Sequence, residues 1–299
     1  MTQGAVMDDL LDKHVRRLQL TSRKAVIELL AGEYHSVFKG RGIEFEEVRE
    51  YQPGDDVRTI DWNVTARTGK PFIKQYIEER ELTIFLMVDM SASFTAGSVG
   101  EAKREAAAEL CTLIAHAAIR NNDRVGLILF TGEVESYLPP GKSESHIRRL
   151  AHDLLAHQPE QTGTDVGKAL DFMEKIHRRR CIVFLFSDFQ SPAFEEPLSI
   201  VRRYHDLIAV SVTDPHETEL PPAGLVRLRD NETGVFRVID TASKKIRRRL
   251  KREAEARREA LNHRFSDLDV DHLAVLTHED YVNDLVHFFE ARKKGARGA

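Results

Sequence analysis

The sequence is short of the residues and runs that mark secreted or membrane-spanning chains. It has two cysteines in 299 residues, Cys111 and Cys181. Both lie in apolar stretches without metal-ligand spacing, and they read as buried free thiols of a reducing compartment. No apolar run approaches the roughly 20 residues that cross a bilayer. The longest, at residues 84–88 and 182–186, suit buried strands. The opening MTQGAVMDDLLDKHVRR mixes acids and bases before any apolar run, which argues against a signal peptide. Neither sign of charge dominates: 44 Lys and Arg face 48 Asp and Glu, a net of -4, with no global pull toward nucleic acid or membrane. Internal repeats and low-complexity tracts are also missing. A cytoplasmic globular protein is expected, large enough for one substantial core or one domain plus a satellite.

What is there, from about residue 82 onward, is an alternation of short apolar strands and amphipathic helices. A strand over 83–88 leads to a helix beginning near residue 101. There Ala107, Leu110, Cys111, Ile114 and Ala118 recur at helical spacing as one buried stripe. Strands follow over 125–130 and 134–138, and Pro139-Pro140-Gly141 reads as a turn. Helices are expected over 143–157 and 166–178, a strand over 181–186, a helix over 197–205 and a strand over 207–212. The segments 225–228 and 235–239 flank Asn231-Glu232-Thr233-Gly234, a hairpin signal. A charged helix over 243–265, a strand over 271–276 and a helix from residue 281 close the chain. This rhythm predicts an α/β fold, a doubly wound, mainly parallel sheet with helices on both faces. Residues 1–80 lack the rhythm and are expected to form a small N-terminal extension packed on a main domain of residues 81–291. Residues 292–299 are expected to be a disordered basic tail.

The chemistry concentrates where the first buried strand ends. Asp89-Met90-Ser91-Ala92-Ser93 puts one carboxylate and two hydroxyls on a single tight turn. In a doubly wound sheet, the ligand crevice lies at the carboxyl ends of the strands. Thr164 before a helix, and Asp188 at the end of the strand over 181–186, occupy comparable places. Five oxygen donors from three loops suit a hard cation. Mg²⁺ is favoured because this hydroxyl-rich set has few carboxylates and leaves room for water; Mn²⁺ and Ca²⁺ share the preference for oxygen. A sixth position would remain for water or for an acidic side chain of a partner.

Asp89, Ser91 and Ser93 with Thr164 and Asp188 resemble the metal-ion-dependent adhesion site of von Willebrand factor A domains. Upstream, Gly42-Ile43-Glu44-Phe45, the run from Arg49 through Tyr51-Gln52-Pro53-Gly54-Asp55-Asp56-Val57-Arg58-Thr59-Ile60-Asp61-Trp62, then Thr65-Ala66-Arg67 and Glu78-Glu79-Arg80-Glu81, resembles the bacterial family called domain of unknown function 58. The resemblance covers nearly the whole chain. It implies a von Willebrand factor A-like fold and a partnership with a MoxR-type AAA+ ATPase or its client, in complex assembly, chaperoning or metal insertion.

Other readings of the same residues are weaker. Arg58 and Asp61 could form a buried ion pair and Trp62 could fill the core, making the block from Tyr51 to Trp62 structural. Residues 244–264 carry ten basic residues against Glu253, Glu255 and Glu259. With no aromatic residue to stack on bases, a solvated helix face or an acidic protein partner explains them better than nucleic acid. Gly141-Lys142-Ser143 imitates the end of a phosphate-binding loop, but Ser136 stands where its first glycine belongs. A metal-dependent phosphohydrolase built on Asp89 would want a second acid where Ser91 stands. None of the thirteen histidines falls in the three loops, and His116 reads as a surface residue. A binding module, not an enzyme, is expected, with a metal-independent scaffold as a further alternative.

Overall fold

A computed structural model describes residues 24–38, 47–57, 60–75, 81–95, 97–161, 163–191, 194–229 and 235–295. It begins with helix α1 (Lys24–Phe38), strand β1 (Glu47–Glu50), helix α2 (Trp62–Thr68) and strand β2 (Phe72–Gln75). The strands β1 and β2 pair antiparallel. Then follow β3 (Thr83–Asp89), α3 (Ala92–Thr95), α4 (Gly97–Arg120), β4 (Arg124–Phe130) and β5 (Val134–Gly141). Next are α5 (Glu144–Ala156), α6 (Val166–Ile176), β6 (Ile182–Ser187), α7 (Glu195–Tyr204) and β7 (Asp206–Thr213). The chain ends with α8 (Pro215–Thr218), the hairpin β8 (Leu225–Arg229) and β9 (Phe236–Asp240), α9 (Lys244–Asp267), β10 (Asp271–Leu276) and α10 (Tyr281–Gly295).

The central sheet has the order β10-β7-β6-β3-β4-β5. All neighbours are parallel except β4 and β5. The doubly wound, mainly parallel α/β sheet expected from the sequence is therefore the architecture. Alternation along β3 divides the core. Ile84, Leu86 and Val88 face one layer with α1, α4, α5 and α10, through Leu30, Tyr34, Leu110, Ile114, Leu150 and Phe289. Phe85 and Met87 face the other with α6, α7 and α9, through Leu170, Met173, Leu198 and Phe265. Gly126 sits in β4 because the Phe85 ring crosses it; a Cβ there would lie 2.9 Å from a ring carbon.

Several local expectations are corrected. Pro139-Pro140-Gly141 does not turn the chain but belongs to β5. An edge strand tolerates prolines, which cannot donate to a ladder, and the register here slips between the Val125–Gly141 and Leu127–Leu138 pairs. The turn comes after it, where Ser143 caps α5 by accepting from the His146 amide at 3.0 Å. That cap explains the imitation of a phosphate loop. Trp62 fills no core: it opens α2, a helix with no buried residue, and is 70% exposed. Asp61 caps the same helix by accepting from the amides of Asn63 and Val64, whereas Arg58 lies outside the described residues. Among the described residues, Asp55 of this block pairs with Arg49 just upstream, at 2.6 Å. His116 is half-buried, not a surface residue, and burial lowers its pKa. Residues 292–295, expected in the tail, are helical within α10, where Arg292 meets Asp206 at 2.7 Å and Lys293 meets Glu33 at 3.0 Å.

Candidate metal centre

The strand order reverses across β3: the chain winds outward through β4 on one side and through β6, β7 and β10 on the other. The connections leaving β3, β4 and β6 therefore diverge at their carboxyl ends and leave a crevice. Asp89 is the last residue of β3, at that end of the sheet. Two backbone bonds tie the neighbouring loops to the end of β4: Met90 N–H donates to the Phe130 carbonyl at 2.7 Å, and Asp165 N–H to the Thr131 carbonyl at 2.9 Å.

Asp89 is 0% exposed. One carboxylate oxygen accepts from the Ser91 amide at 2.8 Å, closing the turn, and the other accepts from the Ser187 hydroxyl at 2.6 Å. Ser91 and Ser93 bring their hydroxyls within 3.1 Å of each other. Asp188 follows Ser187 at the end of β6; its carboxylate accepts from the Gln190 amide at 3.1 Å. Thr164 is fixed through its backbone, its carbonyl accepting from the Ser191 hydroxyl at 2.9 Å. The structure thus joins Asp89, Ser91 and Ser93 directly. It brings Asp188 to them through Ser187 and holds the Thr164 loop against the segment after β6. Phe189 has φ of 53°, a left-handed conformation costly for a non-glycine residue, and its amide donates to Ser187 Oγ at 3.0 Å.

The electrostatics are uneven. No cation stands against the Asp89 carboxylate among the described residues, and burial, with the nearby Asp188 charge, pushes its pKa up to about 7 despite the Ser187 and Ser91 bonds. Asp188 lies 3.9 Å from the ammonium of Lys103. Lys103 is 0% exposed; it donates to the Ser93 carbonyl at 2.8 Å and to Glu217 Oε1 at 2.6 Å. Burial raises the Glu217 pKa although Lys103 opposes it.

Ser187, Lys103 and Glu217 were missed by sequence reasoning. Lys103 had a visible signal: it stands four residues before Ala107 and continues the buried stripe of α4, where a lysine needs a buried acceptor. Ser187 adjoins Asp188. Glu217 had none, since its place follows only from the packing of α8 beside α4.

Among the described residues, no group of three or more His, Cys, Asp or Glu side chains gathers as a metal site; the oxygen set here has two carboxylates and depends on hydroxyls. A second constellation has the outline of a nucleophile with its base: Cys181 Sγ lies 3.0 Å from His205 Nδ1, and His205 Nε2 lies 2.8 Å from Glu174. Both cysteines are free and buried. Burial, then Glu174 and Asp206, push the Cys181 thiol up to about 12, so it stays protonated at neutral pH and is a poor nucleophile.

A protein of Mycobacterium tuberculosis, Rv1480, is 33% identical over 301 residues, covering 99% of this chain and 94% of its own. The conserved hypothetical protein BatB from Bacteroides thetaiotaomicron superposes with a TM-score of 0.45 at 17% identity, over 71% of this chain and 99% of that one. The VWA domain of SpRpn10 superposes with a TM-score of 0.40 at 12% identity, over 69% of this chain and 94% of that one. The family model described as "Protein of unknown function DUF58" matches residues 47–260. The chain, with its mainly parallel α/β sheet, belongs to the DUF58 family.

Proposed function

We propose that the carboxyl rim of the sheet binds Mg²⁺ and uses it to capture an acidic side chain of a protein partner. Asp89 carries this reading. A carboxylate buried to 0% exposure, held by hydrogen bonds but facing no cation among the described residues, needs a positive charge to stay ionised. The surrounding donors fit a small hard ion: Asp89 and Asp188 would supply charge, and the hydroxyls of Ser91, Ser93 and Thr164 would supply neutral oxygens. Bound there, the ion would supply a positive centre with a coordination position open to an incoming carboxylate. The protein's part is to hold this set in place, through the Asp89–Ser91 turn, the Ser187 bond and the backbone ties to β4.

The partner we assign is a MoxR-type AAA+ ATPase or its client, in complex assembly, chaperoning or metal insertion. The family resemblance supports that assignment, and with it a binding module in the cytoplasm, not an enzyme. Among the described residues no helix is long and apolar enough to cross a membrane. The test is retention of the candidate ATPase by the immobilised chain, with Mg²⁺ and with chelator. Retention that needs Mg²⁺ and disappears in Asp89→Ala is the expected result. Equal retention in chelator would instead make the protein a metal-independent scaffold, and Mg²⁺-dependent hydrolysis of a phosphomonoester would favour a phosphohydrolase.

A further inference from the structure

Lys103 is an unusual resident of an ion site. Its ammonium is buried, contacts the backbone of the Ser93 loop and a carboxylate of α8, and stands 3.9 Å from Asp188. A buried ammonium is stable only when its protons are taken up and its charge answered. Here the Ser93 carbonyl, Glu217 and Asp188 do both, and the Phe94 ring lies 5.5 Å away. Glu217 comes from α8, which follows β7, a fourth segment that contributes none of the five oxygen donors. Its side chain is 31% exposed, whereas that of Lys103 is 0% exposed.

We propose that Lys103 and Glu217 set the charge of the ion site, so that three carboxylates (Asp89, Asp188 and Glu217) less one ammonium leave the two negative charges that one divalent ion neutralises. This deepens the ion-binding reading and rests on it. Lys103 answers Glu217 and draws on Asp188, but its reach ends there, and Asp89 is left for the ion. The balance has a consequence for affinity. Removing the ammonium leaves three negative charges and tightens binding; removing the Glu217 charge leaves one and weakens it; removing both restores two. A role limited to bracing the Ser93 loop predicts something different: loss of Lys103 would weaken binding, and loss of Glu217 as well would not bring it back.

The experiment is isothermal titration of Mg²⁺ alone into the chelator-treated full chain and the variants Lys103→Met, Glu217→Gln and the double variant, with melting in chelator to establish folding. Lys103→Met is expected to bind about tenfold more tightly and Glu217→Gln about tenfold more weakly, the order expected for one elementary charge a few ångströms away. The double variant should return to within about threefold of wild type. Wild-type binding below detection with measurable binding in Lys103→Met would also support the proposal. Unchanged affinity in both single variants, or weaker binding in Lys103→Met that the second substitution does not restore, overturns it while leaving the ion site standing. Absence of binding in all four proteins overturns the ion site and this proposal together. Should Lys103→Met fail to fold, Glu217→Gln decides alone, because its partly exposed side chain can be changed without opening the core: tenfold weakening supports the proposal and unchanged affinity overturns it.

Discussion

The two ends of the central sheet both bury acid, but they surround it differently. At the amino rim, Asp123, 0% exposed, accepts from the Leu82 amide at 2.8 Å and the Tyr34 hydroxyl at 3.1 Å. Asp206 and Asp271, which open β7 and β10, share Arg292 at 2.7 and 3.0 Å. At the carboxyl rim, Asp214 is satisfied: against the cost of burial, the His216 amide, the Thr277 hydroxyl and the His216 ring hold its pKa below the usual range. Asp89 has hydrogen bonds and, among the described residues, no cation. Among the described residues, Asp206 and Asp271 are answered by Arg292 and Asp214 by His216, whereas Asp89 meets hydrogen-bond donors alone, at the switch point of the sheet, where ligands are bound.

Substitutions at the two ends should therefore differ in size and in sign. The largest effect is expected for Asp123→Ala, which strands a buried amide and a buried phenol and should cost about 3 kcal/mol in urea unfolding. A loss under a third of that would mean the amino rim is not organised around this acid. Arg292→Ala, which leaves Asp206 and Asp271 facing each other beside Phe38, should cost about 2 kcal/mol, reduced from a fully buried pair by partial exposure. The smallest shift is expected for Asp89→Asn and runs the other way, stabilising the chelator-treated protein by about 1 kcal/mol at neutral pH, because it deletes a charge that faces no cation among the described residues. Destabilisation of similar size would place Asp89 among the structural acids.

Acidity sharpens the contrast. The pKa of Asp89 is raised from 3.8 to about 7, so the folded state binds the proton more tightly than the unfolded chain. Its contribution to stability is fully present below the unfolded value and is lost as pH rises through 7. In chelator, the stability of wild type minus that of Asp89→Asn should fall from pH 5 to pH 8; a flat difference would show that Asp89 is not short of counter-charge. Saturating Mg²⁺ should abolish the fall, since the ion favours the ionised form.

Much of this was legible in the residues, and the exceptions have causes. The apolar runs of β3 and β6 announce buried parallel strands because both their faces are covered. The turn Asp89-Met90-Ser91-Ala92-Ser93 is visible because its donors are neighbours in sequence. Local signals misled where a position in the sheet overrode them: Pro139 and Pro140 look like a turn, but an edge strand with a slipped register accepts them. Trp62 looks like core because of its size, yet it opens a short helix with nothing to bury. Glu217 lies 114 residues from Lys103, and no spacing rule spans a contact made only when the folded chain brings α8 to the α4 lysine.

The central claim is that Asp89 awaits an ion, and the most direct measurement is isothermal titration of Mg²⁺ into the chelator-treated chain beside Asp89→Ala, each with melting to establish folding. Saturable binding at one site per chain, lost in the folded variant, is the predicted result. Equal heats from wild type and variant, or binding that survives the substitution, would contradict it.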